Sequence, residues 1–581
     1  MISSFTQTRL VAGISILLIL PYLYFSSGAP RMKSSLFRKI TIATIASLLF
    51  IPISMIGEAF AYPHPGGLYS QALIDSIKSN VKANLSPWKP AYDSLVAKAK
   101  WLQTEVPSAV QTFYVPAYYS GPAAHIAASA LLQDDVKAAY VSAAAYALTG
   151  TNSFADKAIE IMNNWARVNT GVGGDDSSLV MSYAGVAFIQ SAELLQNYSG
   201  WNASDKAQFK SWVSDVFLDK VANANKMRTN NWGMWGVLGS ISAYHYLDDP
   251  AHVRSEIDLI KAKIDAQIAS NGAITEEVKR GASGLQYTYF YLAPLTAAAQ
   301  VALDSEGVDL FNWVSPQGKT IKSALDYLLY YMQHPSSWPY AANPELPSAS
   351  DPWPSNLFEA MANYYPDPAY EAFAASKRPL MQTGHHYAWT FPTVMKSTRT
   401  LVSETFDNMP TGTPPVGWTV TNSTDSSASI VNVSQDKLLS LKITDTNANG
   451  ASLVQKNFTA QSGTVTAQWS VMEQALFPYA KFGLKSGTNF AIELYTAGPN
   501  LAYRLNNGNY INVQSFKPNT WYTIKVTANI LTNSYDIYVD GILKASNVVF
   551  TNPASTINGI AFYGGWGPTG TVFIDDVGVI K

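Results

Sequence analysis

The feature that most constrains the fold of this chain is a change in the periodicity of its apolar residues near residue 400. Before that point they recur every three to four positions, as in Ala155–Ala166, which is the pattern of an amphipathic helix. After it they alternate with polar residues in short segments such as Tyr535–Val539, which is the pattern of a half-buried strand. The 581 residues also exceed what one ordinary core accommodates. The sequence therefore predicts a helical region followed by an all-β region.

The helical region extends from about Leu68 to Ala375 and consists of successive helices separated by Asn- and Gly-rich loops such as Thr149–Asn152 and Thr170–Gly174. Many helices joined by short loops indicate stacked helical hairpins, either an open solenoid or a closed α/α toroid. The sequence has no repeat of fixed length, which is the usual mark of a solenoid. We therefore predict an α/α toroid, as an incomplete helical barrel, within a domain of residues 62–400.

The β region, residues 401–581, contains alternating segments that include Leu438–Thr444 and Trp521–Ala528. Tight turns such as Asn507-Gly508 separate them, because this dipeptide suits the positive φ angles of two-residue hairpin loops. Short strands joined by turns of this kind predict an antiparallel β-sandwich of the jelly-roll type. We place the boundary between the two domains between Lys396 and Glu404.

The N-terminal segment, residues 1–61, belongs to neither domain. Its apolar run Ile40–Ile56 follows Met32 and a basic stretch, and it leads into the small-residue sequence Glu58-Ala59-Phe60-Ala61. A basic start, a short apolar core and an A-x-A end are typical of a secretory signal peptide. We predict that Met32 is the true start, that the residues before it are an upstream extension, and that the mature protein is secreted and begins near Tyr62. The alternative is a two-helix membrane anchor, although this run is short for a bilayer span.

Composition excludes several classes of function. The net charge of −2, from 39 basic and 41 acidic residues, provides no field that would attract nucleic acid or an anionic membrane. The chain has no cysteine, which excludes disulfides, a thiol nucleophile and a sulfur-ligated zinc site. Its 33 tyrosines and 15 tryptophans are residues that can stack on sugar rings. We expect a monomer that binds neither nucleic acid nor, in its mature form, a membrane.

Two polar segments of the helical region carry the candidate chemistry. Arg228-Thr-Asn-Asn-Trp-Gly-Met-Trp235 is followed by Asn271-Gly-Ala-Ile-Thr-Glu-Glu-Val-Lys-Arg280, and Tyr287 lies seven residues beyond Arg280. These segments resemble those of the alginate lyase superfamily, typified by polysaccharide lyase family 5. In that family an Asn-Asn-His segment precedes a D-G-x-L-x-x-E-x-x-R segment and a Tyr seven residues after its Arg. The resemblance extends more loosely over about residues 65–390 and implies a toroidal lyase that cleaves a 4-linked uronic-acid polymer, such as alginate or glucuronan.

The resemblance assigns catalytic roles to Asn231, Arg280 and Tyr287. Elimination removes the C5 proton, which is only weakly acidic because it lies next to a charged carboxylate. An amide donor at Asn231 and the cation of Arg280 would stabilise the enolate-like intermediate. Tyr287 would protonate the departing O4 oxygen and, as a tyrosinate, would also take the C5 proton. We expect Arg280 to lower the pKa of Tyr287, and we expect no metal or cofactor to be required for catalysis.

Trp232 is a departure from the family pattern, which has His at this position. The general base is therefore either Tyr287 itself or a histidine from elsewhere in the chain. The histidine candidates are His125, His245, His385 and His386. We interpret His245 as a core residue, because it lies within an apolar helix. We interpret His385 and His386 as loop residues that could reach a cleft. The predicted substrate-binding residues are Trp232, as a stacking platform, and Trp235, His125 and His385.

Other interpretations of the same residues remain open. Asn231 is also suited to cap the helix that follows it, and Arg280 is spaced to pair with Glu276 or Glu277. The two glutamates, with a further carboxylate from Asp175, Asp176 or Asp351, would alternatively serve an inverting glycoside hydrolase on a toroid. A non-catalytic glycan-binding protein is the third hypothesis, because the family histidine is absent.

The predicted sandwich begins with Glu404-Thr-Phe-Asp407-Asn-Met-Pro and contains the hairpin Asp536-Ile-Tyr-Val-Asp540-Gly. In these segments it resembles the laminin-G-like and concanavalin-like domains of carbohydrate enzymes. This resemblance implies carbohydrate binding, with Tyr563 and Trp566 as stacking residues; a purely structural domain is the alternative. Asp407, with Asp575 or Asp576, provides oxygen ligands suited to a structural Ca²⁺. The expected partner of the whole protein is an acidic polysaccharide.

Overall fold

The computed structural model describes residues 61–383, 385–397, 400–433, 437–447, 449–474, 480–565 and 569–581. The signal peptide and upstream extension predicted for residues 1–61 lie, apart from Ala61, outside the described residues, as does Trp566.

The region before residue 400 is helical. Its α-helices are α1 (Gln71–Lys82), α2 (Trp88–Trp101), α3 (Pro122–Thr149), α4 (Asn152–Val168), α5 (Ser177–Leu195), α6 (Ala203–Trp212), α7 (Asn231–Tyr246), α8 (Pro250–Gln267), α9 (Gly284–Glu306), α10 (Ile321–Gln333), α11 (Ser355–Met361) and α12 (Pro368–Ala375). A π-helix, Val213–Ala222, continues α6, and a single α-helical turn, Asn223–Asn225, follows it. Helices α3, α5, α7 and α9 pack successively against one another, and α4, α8 and α10 each pack on this row with one face exposed. The predicted α/α toroid, an incomplete ring of helical hairpins, is confirmed.

The inner helices are apolar on all sides because they are surrounded by protein. Helix α5 is long and apolar enough to cross a bilayer by composition alone, but 89% of its apolar window is buried within the helical region. A helix that is hydrophobic all round belongs in a core of this kind. Helix α7 approaches its neighbours closely through Gly236, where a Cβ atom would lie 2.5 Å from the backbone nitrogen of Lys226. This close packing fixes the start of α7, which carries Asn231 and Trp232.

The region after residue 400 is an antiparallel β-sandwich, as predicted. Its strands are β3 (Thr400–Glu404), β4 (Thr419–Asn422), β5 (Ser426–Asn432), β6 (Leu439–Asp445), β7 (Ala451–Gln461), β8 (Thr464–Glu473), β9 (Ala480–Ser486), β10 (Asn489–Phe490), β11 (Leu494–Ala497), β12 (Asn500–Arg504), β13 (Tyr510–Ser515), β14 (Tyr522–Asn529), β15 (Ser534–Val539), β16 (Ile542–Val549), β17 (Ile557–Gly565) and β18 (Gly570–Ile580). In the described residues one sheet has the strand order β13-β12-β11-β9-β17-β7-β4, with β10 beside β9. The other has the order β16-β15-β14-β8-β18-β6-β5, with β3 beside β18. The rings of Trp469, Phe482 and Phe562 meet between the sheets. A parallel pair, β1 (Thr112–Tyr114) and β2 (Gly171–Gly173), lies in the helical region.

The two regions share an interface around α12. Strands β3 and β18 pack on this helix, and the carbonyl of Pro366 occupies the space that a side chain at residue 578 would need, so that only Gly578 fits. The ammonium group of Lys525 on β14 donates to the Asn312 side chain. The boundary region predicted from the sequence, between Lys396 and Glu404, ends with strand β3.

Candidate active site

A cleft of about 930 Å³ opens in the helical region. Its wall contains five of the seven residues predicted for catalysis or substrate binding, and also His386, a further candidate base. The five are His125, Trp232, Arg280, Tyr287 and His385. It also contains residues that the sequence analysis did not assign to substrate binding or catalysis, namely Tyr118, Tyr119, Tyr183, Phe290, Trp353 and Gln382. The chain segments that meet here are far apart in sequence, so the cleft forms only when the ring of helices assembles.

The backbone between Arg280 and Tyr287 turns sharply to bring both onto one wall. A 3₁₀ turn, Val278–Ser283, precedes α9, and Gly281 within it has φ 62° and ψ −115°. Residues with a Cβ atom are disfavoured in this conformation. The Gly281 carbonyl accepts a hydrogen bond of 2.9 Å from Trp338 Nε1, which fixes the turn. As a result the guanidinium carbon of Arg280 lies 4.6 Å from the centre of the Tyr287 ring.

Tyr287 is a neutral phenol that is already engaged in a hydrogen bond. Its hydroxyl lies 2.7 Å from the hydroxyl of Tyr119, a residue that is 74% exposed on the turn between β1 and α3. Burial, followed by this hydrogen bond, raises the pKa of Tyr287 above its usual value of 10. Arg280 acts in the expected direction, but its effect is smaller than that of burial. The net pKa of Tyr287 is therefore raised although Arg280 lowers it as expected, and the group is suited to donate a proton rather than to remove one.

Arg280 has no carboxylate partner within 4 Å among the described residues. The two glutamates proposed as alternative partners are engaged elsewhere: Glu276 pairs with Lys279 at 2.6 Å, and Glu277 accepts hydrogen bonds from Asn231. The guanidinium is exposed in the cleft. An exposed cation without a protein counter-ion is suited to bind an anionic group of a ligand.

Asn231 and Trp235 are buried and do not form part of the cleft wall. The Asn231 side-chain nitrogen donates to both carboxylate oxygens of Glu277, at 3.0 and 3.1 Å, and its backbone nitrogen donates to the same group. Burial raises the pKa of Glu277, and the hydrogen bonds from Asn231 oppose this shift. Asn231 thus connects the start of α7 to the segment that carries Arg280. Its predicted contact with substrate stays a prediction, as does that of Trp235, whose ring packs on Phe290.

Trp232 occupies the position of the family histidine and faces the cleft. The guanidinium carbon of Arg228 lies 4.2 Å from the centre of its indole ring. This cation–π contact holds the ring while leaving it partly exposed. A flat, partly exposed ring at the cleft wall is suited to stack on a sugar.

Two of the four candidate histidines have the environment of a base. His125 Nδ1 lies 2.9 Å from the Pro116 carbonyl and 3.3 Å from a carboxylate oxygen of Asp176. A carbonyl only accepts, so Nδ1 carries the proton and Nε2 of the neutral ring has a free lone pair. His385 stacks on Phe290 and keeps part of its surface exposed to solvent. Desolvation by the surrounding cleft, together with the nearby His125, nevertheless lowers the pKa of its imidazole, which keeps the ring neutral.

The other two histidines are held by the protein. His386 is buried, and its Nε2 lies 2.7 Å from the hydroxyl of Tyr289. Burial lowers the pKa of His386 well below 6.5, which keeps the ring neutral. His245 lies at the far end of α7, outside the cleft wall, as its interpretation as a core residue requires.

The carboxylates proposed for a hydrolase are divided between the cleft wall and positions outside it. Glu276 and Glu277 do not form part of the cleft wall, whereas Asp176 and Asp351 do. Asp176 accepts from the backbone nitrogen of Tyr118 at 2.8 Å, and Asp351 accepts from that of Ser348 at the same distance. Both aspartates therefore have structural partners in their loops.

The aspartates of the predicted calcium site surround a lysine. Lys437 forms an ion pair with Asp576, and its positive charge also acts on Asp575, whose carboxylate accepts from Ser440 at 2.7 Å. Asp407 accepts from the backbone nitrogen of Leu439. A Ca²⁺ ion here would compete with the ammonium group of Lys437, and the calcium site stays a prediction.

Residues 84–338 match the family model described as alginate lyase. An alginate lyase from Bacteroides ovatus is 19% identical over 57% of this chain and 99% of its own, with a TM-score of 0.47. Alginate lyase A1-III in complex with a tetrasaccharide is 17% identical over 56% of this chain and 93% of its own, with a TM-score of 0.46. A sialidase is 13% identical over 31% of this chain but only 18% of its own, with a TM-score of 0.28. No curated protein matches the sequence.

The family match confirms the resemblance to alginate lyases that the two polar segments predicted, and it includes Arg228–Trp235 and Arg280–Tyr287. The part of the chain that is similar to polysaccharide lyases of this type is the helical region. Sequence reasoning missed Tyr118 and Tyr119, which lie upstream of both segments. The only signal was an aromatic pair just before a helix, and nothing in the sequence linked it to Tyr287.

Proposed function

We propose that this protein is a secreted polysaccharide lyase that cleaves a 4-linked uronic-acid polymer by β-elimination. The observation that carries the proposal is the Arg280 guanidinium, which has no carboxylate partner in the described part of the chain and is stacked on the protonated phenol of Tyr287 in a cleft lined by aromatic rings. This arrangement supplies a counter-ion for the uronate carboxylate and a proton for the leaving oxygen.

The reaction begins with the uronate carboxylate bound at Arg280. A base removes the C5 proton, and the electron pair of that C–H bond moves into the enolate-like intermediate that the guanidinium stabilises. The pair then forms the C4–C5 double bond as the C4–O4 bond breaks. Tyr287 donates its proton to O4, and the Tyr119 hydroxyl, 2.7 Å away, stabilises the tyrosinate that remains.

We assign the base to Nε2 of His125. The Pro116 carbonyl fixes the tautomer in which Nε2 has a free lone pair, and Asp176 stabilises the imidazolium that forms when the proton is taken. A mechanism in which Tyr287 is both base and acid requires a tyrosinate at the start, which the raised Tyr287 pKa disfavours. His385 is the second candidate for the base, since it lies in the same cleft.

The charge of the cleft supports recognition of one carboxylate rather than several. Among the described residues of its wall, Arg280 is the one Lys or Arg side chain, whereas Asp176 and Asp351 are both acidic. Sugars on either side of the cleaved bond therefore find aromatic rings such as Trp232 and Trp353 rather than cations. Alginate and glucuronan are the substrates that we propose first, with weak dependence of KM on salt.

The decisive experiment incubates the full chain with a panel of acidic polysaccharides and follows both ultraviolet absorbance and new reducing ends. Elimination produces both signals, because each cut creates a new reducing end on one fragment and leaves an absorbing, conjugated C4–C5 double bond on the other. Reducing ends without absorbance would indicate a hydrolase. Binding of polymer with neither signal would indicate a glycan-binding protein.

Replacing Tyr287 by Phe tests the acid directly. The change removes only the hydroxyl, so we expect turnover to fall by about 10²–10⁴-fold while polymer binding is retained. Tyr330→Phe, at an exposed tyrosine of α10, is the matched control and should keep full activity. More than about a tenth of the activity remaining in Tyr287→Phe would contradict the proposed role.

A further inference from the structure

A second cluster of ligand-type side chains lies at the opposite end of the inner helices from the cleft. It consists of His64, near the start of the described chain, Glu193 at the end of α5, and His245 at the end of α7. His245 is fourteen residues along α7 from Asn231, which corresponds to about 21 Å of helix. The proposed lyase reaction makes no use of this cluster.

The three side chains present their donor atoms to one another. His64 Nδ1 lies 2.8 Å from one carboxylate oxygen of Glu193, and His245 Nε2 lies 3.8 Å from the other. One donor atom of each of the three residues lies within 4.8 Å of the donor atoms of the other two. Ligands at about 2.0–2.1 Å around a tetrahedral Zn²⁺ are about 3.4 Å apart, so small movements would bring all three onto one ion.

Two of these donor atoms are buried without a hydrogen-bond partner among the described residues. They are His245 Nε2 and Glu193 Oε1, in side chains that are only 2% and 8% exposed. Both residues line a small cavity of about 20 Å³, and Ser242 and Gln190 beside them also have unpartnered polar atoms. Leaving buried polar atoms unsatisfied is costly, and a cavity of this size holds one small ion or one water.

Each histidine ring is oriented by a hydrogen bond at its outer nitrogen, the one that faces away from Glu193. His64 Nε2 lies 3.1 Å from a carboxylate oxygen of Asp248, and His245 Nδ1 lies 2.8 Å from the hydroxyl of Ser305. When these outer nitrogens donate, the inner nitrogens carry lone pairs that point towards Glu193. A histidine whose second nitrogen is bound to a carboxylate or another acceptor is the usual arrangement around a protein-bound metal.

The backbone leaves room at the same place. A Cβ atom at residue 66 would lie 2.6 Å from His245 Nε2, so Gly66 keeps the face of that nitrogen open. The Gly66 backbone nitrogen also donates to Glu193 at 3.2 Å, which draws the segment after His64 onto α5.

From this geometry we infer that His64, Glu193 and His245 bind a divalent transition-metal ion, with Zn²⁺ as the best fit. Two imidazole nitrogens and one carboxylate suit Zn²⁺, whereas Mg²⁺ and Ca²⁺ prefer sites made of oxygen alone. A water molecule completes the tetrahedron. The ion clips the segment around His64 to α5 and α7, and its role is structural.

The test uses the full chain, stripped of metal by chelator and dialysis. Calorimetric titration with Zn²⁺ should give one site per chain, and saturation should raise the Tm by at least about 2 °C, because a ligand that binds only the folded state stabilises it. Mg²⁺ and Ca²⁺ should do neither. No binding of Zn²⁺, or a Tm that does not respond to it, would overturn the assignment.

Variants locate the ion. Glu193→Gln and His245→Ala should each weaken Zn²⁺ binding by about 100-fold or more. His252→Ala, at an exposed histidine paired with Asp249, is the matched control and should bind as the parent does. If loss of Glu193 prevents folding, Asp248→Asn keeps the test valid, since loss of an outer hydrogen bond typically costs about tenfold in affinity. Unchanged binding in the cluster variants would mean that the ion binds only adventitiously elsewhere on the surface.

Discussion

At the residue scale, the protonation of Tyr287 distinguishes the two mechanisms that the sequence left open. A tyrosinate base would make kcat/KM rise about tenfold per pH unit up to the Tyr287 pKa, which burial has raised above 10. With a histidine base and Tyr287 as the acid, the raised pKa keeps the phenol protonated, and any loss at alkaline pH begins only above about pH 10.

We therefore expect a plateau in kcat/KM between about pH 7.5 and 9.5, measured at constant ionic strength. The His125→Gln variant should lose activity across this whole range without changing the alkaline side of the profile. A continuous rise through pH 9 would instead support Tyr287 as both base and acid.

The residue that replaces the family histidine should behave as a binding surface. Trp232→Ala removes a stacking ring, which is worth about 1–2 kcal/mol, so we expect mainly a raised KM. His125→Ala should lower kcat by about 10²–10⁴-fold, equivalent to about 3–5 kcal/mol. Steady-state kinetics on both variants, with circular dichroism to check the fold, separate these effects. If His385→Ala shows the large fall in kcat and His125→Ala does not, the base is His385.

At the element scale, the turn before α9 is what makes the spacing of Arg280 and Tyr287 functional. Seven residues on a regular helix would place the two side chains about two turns apart, roughly 10 Å along the axis. The Gly281 conformation instead stacks them at 4.6 Å. Gly281→Ala meets no close atom, since the nearest neighbour of its Cβ would lie 3.7 Å away, so its effect comes from backbone strain alone.

We expect Gly281→Ala to cost about 1–3 kcal/mol, either as lost stability or as a displaced Arg280 with raised KM. Thermal unfolding and substrate kinetics on the same preparation show which of the two occurs. Gly307→Ala, at the end of α9 with a similarly positive φ of 67°, is the control: it should lose stability but not affinity for substrate. Parent-like behaviour of Gly281→Ala in both measurements would contradict a role for this turn.

The elements that were predictable from the sequence are those with strong periodicity. The amphipathic pattern of Ala155–Ala166 lies within α4, and the alternation in Tyr535–Val539 lies within β15. The π-helix Val213–Ala222 has no comparable signal, because its side chains follow a helical stripe that an α-helix would also satisfy. Contacts across the ring were beyond local patterns altogether: Tyr119 meets Tyr287 across 168 residues, and Asn231 meets Glu277 across 46.

At the scale of the whole molecule, the cleft and the sandwich are formed by separate parts of the chain. The described residues of the cleft wall lie between Ala117 and His386, so the β-strands contribute none of them. The sandwich nevertheless packs on α12, where the Pro366 carbonyl lies against Gly578. Each region also has its own continuous apolar core. The chemistry should therefore survive without the sandwich, whereas the stability of the helical region should depend partly on it.

Truncation after Ser397 tests this division. We expect the helical fragment to keep its activity on short oligomers within about threefold, because it retains its own core and the whole cleft wall. Its Tm should fall, because the face of α12 that packs on β3 and β18 becomes exposed. Gly578→Ala is the matched point variant: the added methyl group would collide with the Pro366 carbonyl and weaken the interface without removing a domain. It should lower the Tm of the full chain while leaving kcat on oligomers unchanged.

A rise in KM for long polymer in the truncated protein only would indicate that the sandwich binds the substrate chain. A fragment that is folded by circular dichroism but inactive on oligomers would mean that the sandwich belongs to the catalytic unit.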